Sequence, residues 1–115
     1  MSVTIYHNPK CSKSRQTLEL LSAKGITPTI IEYIKNPPTV EKLKEILSQL
    51  GIMPRDLMRK KEDIYKELEL GIVSLSDKDL IDLMVEHPIL IERPIVIANG
   101  KAVLGRPPEN VLDIL

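Results

Sequence analysis

The only thiol in the chain belongs to Cys11, and its neighbours are polar or basic rather than apolar. The sequence predicts that Cys11 lies where a short strand gives way to a helix. There the free backbone N–H groups and the helix dipole favour negative charge on the sulfur. Lys10, Lys13 and Arg15 surround it in sequence, and His7 adds a positive charge once protonated; each such charge lowers a thiol pKa. The same amides form a ready oxyanion site, so a thiolate nucleophile and an anionic substrate could share one place. A buried, inert core thiol is the ordinary alternative for a cysteine, but these neighbours make a poor piece of core.

Spacing excludes two familiar loops. A phosphatase loop needs Arg six residues after its Cys, where this chain has Thr17, and a Cys-x-x-Cys dithiol needs a second Cys where it has Ser14. Ser14 is placed to donate its hydroxyl toward the thiolate or an oxyanion. On spacing alone, a solvent-facing place in the first helical turn accounts for Ser14 nearly as well. Two histidines and one cysteine without ligand spacing imply no metal site. His87 precedes Pro88 at the end of a predicted helix, where a C-terminal dipole contact suffices, and Arg15 and Arg55 read as surface charges.

The elements that must position Cys11 follow from periodicity. Val3-Thr4-Ile5-Tyr6 alternates as a strand and is broken by His7-Asn8-Pro9. Residues 12–24 carry Leu18 and Leu21 three apart, with Thr17, Leu20 and Ala23 nearby and Gly25 as the stop, which predicts the first helix. The β-branched run 28–34 predicts a second strand, parallel to the first across a βαβ unit. A helical insertion over about 36–91 follows. Within it Thr39 caps a helix with the stripe Leu43, Ile46, Leu47 and Leu50, shorter helical pieces cover 54–58 and 61–70, and Ser76 with Asp79 forms a capping box for a helix whose Leu80, Leu83 and Met84 face inward. Residues 94–98 and 101–104 around Asn99-Gly100 predict a hairpin, and Pro107 opens a last helix carrying Val111, Leu112 and Leu115. The order is that of an α/β protein with a thioredoxin-like, mixed four-stranded sheet flanked by helices and a helical insertion between strands 2 and 3.

At 115 residues the chain is read as one domain, able to bury roughly two-thirds of its unfolded surface without staples. Sixteen basic and sixteen acidic residues cancel, which favours neither nucleic acid nor an anionic membrane as partner. With no Trp, no Phe and three Tyr, the core is expected to be aliphatic. A single cysteine excludes an internal disulfide, so any redox cycle needs an outside thiol. The N-terminus lacks a basic stretch and a long apolar run, and no window reaches the roughly 18 apolar residues of a membrane span, so the expected location is cytoplasmic.

The run His7-Asn8-Pro9-Lys10-Cys11-Ser12-Lys13-Ser14-Arg15 resembles the opening motif of the glutaredoxin-dependent arsenate reductase (ArsC) family. Three later segments match in order: Leu57-Met58-Arg59-Lys60-Lys61-Glu62, Ile91-Glu92-Arg93-Pro94-Ile95-Val96 and Leu104-Gly105-Arg106-Pro107-Pro108-Glu109. The resemblance implies that Arg59, Arg93 and Arg106, three of only five arginines, bind the oxyanion, and that Pro94 stands at the fold's cis-proline. That chemistry is sound, because guanidinium groups present paired donors in a fixed fork to tetrahedral oxyanions such as arsenate. For an isolated arginine a surface charge or ion pair would be the better account; Arg93 and Arg106 bracket the predicted hairpin, whereas no periodicity places Arg59 near the thiol.

The family implies reduction of arsenate to arsenite through a covalent thiol-arsenate intermediate on Cys11, with His7 favouring the thiolate and Ser14 bonding it or the oxyanion. Glutathione is the implied co-substrate, no cofactor is bound, and glutaredoxin resolves the mixed disulfide that a chain with one cysteine cannot. A monomer is expected. The chain ends at Leu115, soon after the third arginine segment, whereas some members continue further; a more open anion site and weaker turnover are the expectation. Two alternatives stay open. One is an Spx-like regulator that binds RNA polymerase, from whose usual Cys-x-x-Cys Ser14 departs, and the other is a glutathione-linked thiol oxidoreductase with a different substrate.

Overall fold

The first strand, β1 (Val3–His7), stops where Asn8-Pro9 turns the chain, and helix α1 (Ser12–Ala23) starts immediately after Cys11. The computed structural model describes residues 2–69 and 74–115. β2 (Thr29–Glu32) lies parallel to β1, and the hairpin strands β3 (Ile95–Ala98) and β4 (Lys101–Leu104) complete a sheet in the order β2-β1-β3-β4, with β1/β3 and β3/β4 antiparallel. This is the expected mixed, thioredoxin-like sheet. Asn99 and Gly100 have φ of 55° and 74°, the left-handed pair that a two-residue hairpin turn requires.

The chain divides into two compact units, Met1–Asn36 with Arg93–Leu115, and Pro37–Glu92. In the first, Val3 and Ile5 of β1 share a sheet face with Val96 and Ala98 of β3, and that face packs on Leu21 of α1 and on Val111 and Ile114. The final segment, Pro108–Asp113, is a 3₁₀ helix rather than the expected α-helix. At three residues per turn, Val111 and Ile114 point the same way, so Leu112, expected inside, is exposed. Pro107 sits at the cap, one position before the first turn. Asn99 Nδ2 donates to Ile114 O at 2.8 Å and ties this tail to the hairpin turn.

The second unit holds the expected insertion. Thr39 accepts from Lys42 N–H to open α2 (Val40–Leu50), and Gly51, at φ 70°, closes it. The shorter pieces are a 3₁₀ turn at Pro54–Leu57 and α3 (Asp63–Glu67); α3 is narrower than the expected 61–70, and position 70 lies outside the described residues. Ser76 and Asp79 form the reciprocal capping box of α4 (Asp77–Glu86). Its buried residues are Leu80, Ile81 and Met84, so Ile81 takes the inward place expected for the half-buried Leu83. The interior is not purely aliphatic either: Tyr6, Tyr33 and Tyr65 are all buried.

Candidate active site

Four hydrogen bonds set Cys11 at the head of α1. Asn8 accepts Lys10 N–H through Oδ1 and Cys11 N–H through its carbonyl, both at 3.0 Å, which folds the loop back on itself. Arg15 Nη1 donates to Pro9 O at 2.9 Å, so this exposed arginine, read from sequence as a surface charge, braces the loop. Cys11 itself keeps extended backbone angles as the N-cap, and its carbonyl accepts Arg15 N–H as the first helical bond. The Cys11 residue is only 9% exposed. Burial pushes its pKa up, but the Ser14 amide, the Arg93 guanidinium and the Lys13 amide outweigh that and hold it below the ordinary thiol value.

Two of the three sequence-predicted arginines flank the hairpin and meet at this sulfur. Arg106 donates through Nε to Arg93 O at 2.7 Å and reaches Cys11 Sγ with Nη2 at 3.5 Å. Arg93 acts on the same thiol by hydrogen bond and by charge. The Arg93–Pro94 peptide is cis, and so is Arg106–Pro107, which the sequence reading did not anticipate. Arg59 belongs to the second unit. There its Nε bonds Glu62 Oε1 at 2.9 Å, its Nη1 lies 3.6 Å from Glu92 Oε2, and its backbone N–H donates to Leu90 O.

His7 and Ser14 are both buried and bonded to one another, Nδ1 to Oγ at 2.6 Å. Ser14 Oγ also accepts Asn8 N–H at 3.0 Å, so the hydroxyl ties the loop backbone to the imidazole. Burial is the main influence on His7 and lowers its pKa, Glu32 opposes this, and Arg15 adds to it. His7 is therefore neutral at neutral pH, and it meets Ser14 rather than supplying the positive charge to the sulfur. The Ser14 backbone N–H, rather than its hydroxyl, is the group that stabilises the thiolate. Sequence reasoning missed the bracing by Arg15 and the packing of Thr17 against Gly105 described below; the Asn8-Pro9 pair was the one local signal of a structured loop. Among the described residues no group of three or more His, Cys, Asp or Glu could hold a metal ion, and no helix is long and apolar enough to cross a membrane.

The geometry thus sets a cysteine at a helix N-terminus with two arginines converging on its sulfur, an arrangement that favours negative charge there. The ArsC family model matches residues 6–114, which include every segment of this site. The chain belongs to the ArsC family. Among its relatives, an arsenate reductase of Haemophilus influenzae is 53% identical over 116 residues, with 100% of each chain covered. The uncharacterized protein YfgD of Escherichia coli is 54% identical over 114 residues, covering 98% of this chain and 96% of the relative. A solved structure of an arsenate reductase from Vibrio cholerae superposes with a TM-score of 0.97 at 59% identity, covering 100% of this chain and 98% of that one. ArsC membership thus agrees with the four motif segments and with the observed sheet.

Proposed function

We propose that this chain is a thiol-dependent arsenate reductase that works with glutathione and glutaredoxin. The observation that carries the reading is the 3.5 Å approach of the Arg106 guanidinium to the sulfur of a cysteine seated at a helix N-terminus. Cys11, as thiolate, attacks arsenic and displaces water to form the thiol-arsenate adduct, while Arg93 and Arg106 bind its oxygens. Arg59 joins them on the strength of its motif. A glutathione thiol then completes the electron balance: Cys11 and glutathione lose two electrons between them as they form a mixed disulfide, and As(V) gains two to leave as arsenite. With one cysteine in the chain, glutaredoxin must reduce that disulfide.

His7 and Ser14 act as positioning residues in this reading, holding the loop so that the Ser14 amide faces the sulfur. The whole chain serves as one ArsC-type domain, a cytoplasmic monomer that binds no cofactor or metal. The test is reconstitution with arsenate, glutathione, glutaredoxin, glutathione reductase and NADPH, measuring arsenite directly. Omission of either glutathione or glutaredoxin should drop arsenite to background. Undiminished arsenite without them would overturn the thiol relay, and a folded protein forming none would overturn arsenate as substrate.

A further inference from the structure

Thr17 is polar yet fully buried, one turn and a half into α1 from Cys11. Its Oγ1 donates to Lys13 O at 2.8 Å and also lies 3.4 Å from Gly105 O, across 88 residues of sequence. Gly105 N–H in turn donates to Pro94 O at 2.9 Å, so the glycine is pressed between α1 and the turn that carries Arg93. A Cβ at position 105 would fall 2.5 Å from Thr17 Oγ1, 2.7 Å from Pro94 Cγ and 3.1 Å from Thr17 Cγ2. None of these atoms ends a flexible side chain: threonine is stiff at χ1, and proline is a ring. Unlike Gly25, Gly51 and Gly100, Gly105 is not in the left-handed region, so what the position demands is space.

We propose that Gly105, seated against Thr17 and Pro94, is a positioning residue that sets both Arg93 and Arg106 against the sulfur of Cys11. The two arginines adjoin the two ends of this contact. Arg106 follows Gly105 directly and donates to Arg93 O, and Arg93 precedes Pro94, so a displacement at position 105 moves both guanidinium groups. The significance for turnover rests on the proposed arsenate chemistry. The geometry does not, since it concerns only the thiol and its cations.

The test is the pH dependence of Cys11 alkylation by iodoacetamide, which needs no arsenate, with folding checked by thermal denaturation. Gly105→Ala should move the alkylation inflexion to higher pH and slow the reaction at pH 7 by roughly three- to tenfold, since one pKa unit is tenfold in thiolate. Adding Thr17→Ala, which removes two of the three close contacts, should return the profile part of the way toward wild type. A folded Gly105→Ala protein with the wild-type profile, or a double variant with no recovery, overturns the proposal. Should Gly105→Ala fail to fold, the double variant is compared with Thr17→Ala alone: an inflexion at higher pH supports the residual Pro94 contact, and coincident profiles overturn it. A shifted profile in a protein that reduces no arsenate in any form upholds the positioning role and removes the proposed substrate.

Discussion

Arg106 and Arg59 occupy matching motif segments, yet the two units of the molecule treat them differently. Arg106 gives Nε to a backbone carbonyl, a partner without net charge, and Nη2 to the Cys11 sulfur. Arg59 gives its guanidinium to the carboxylates of Glu62 and Glu92, which compensate its positive charge. A motif position therefore tells which residue type is present, while the partners tell what it holds: the sulfur for Arg106, two carboxylates for Arg59. The difference predicts a catalytic loss with little structural cost at Arg106, and at Arg59 a structural loss beside the catalytic one its proposed role implies.

The sharpest break in that comparison comes from alanine at each position. Arg106→Ala should lower kcat/KM for arsenate by roughly 10²–10³, the usual cost of removing one donor to a developing anion. Its folding free energy should change by less than about 0.5 kcal/mol, because the side chain is exposed. Arg59→Ala, by contrast, takes a cation away from two half-buried carboxylates and should cost about 1–2 kcal/mol in chemical denaturation. Equal stability losses in the two variants would erase the distinction.

Cys11 and His7, both in the first unit, have their pKa values lowered for different reasons. The Cys11 pKa is depressed on folding despite the burial that raises it, so alkylation should inflect at lower pH than in the unfolded chain. The thiolate contributes stability that is fully present above the unfolded pKa and is lost as pH falls through the folded one. Arg93→Ala removes the lowering cation and should move the inflexion upward. His7 is depressed mainly by burial, so its NMR titration should lie below the ordinary histidine value. Its contribution likewise fades as pH falls through the folded pKa, since burial disfavours the charged imidazolium. This is the smallest expected effect. A His7 that titrates above the ordinary value would instead favour the charged role read from sequence.

Much of the frame was legible because its signals are local. Asn99-Gly100 turns the hairpin, Ser76 and Asp79 cap α4, and Thr39 with Gly51 bounds α2, each through bonds within a few residues. The site was legible only in part. Cys11 at a helix start follows from the Asn8-Pro9 break, and Glu62 lies three residues from Arg59, but Glu92 does not announce itself as the second partner. His7 looked like a cation source because nothing in the sequence reveals its burial, and only the fold brings Ser14 Oγ within 2.6 Å of its Nδ1. Thr17 and Gly105 meet from 88 residues apart in sequence, and no periodicity reports such an approach. The 3₁₀ form of Pro108–Asp113 escaped because Val111, Leu112 and Leu115 also suit an α-helical stripe.

The central claim is that Cys11 is the nucleophile of an arsenate-reducing thiol relay, and its most direct test is arsenite formed by wild type and by Cys11→Ser in the complete glutathione–glutaredoxin system. The wild type should form arsenite, and the serine variant, folded to the same stability within about 1 kcal/mol, should form it at least roughly a thousandfold more slowly. Arsenite from the serine variant at a rate comparable to wild type would contradict the account.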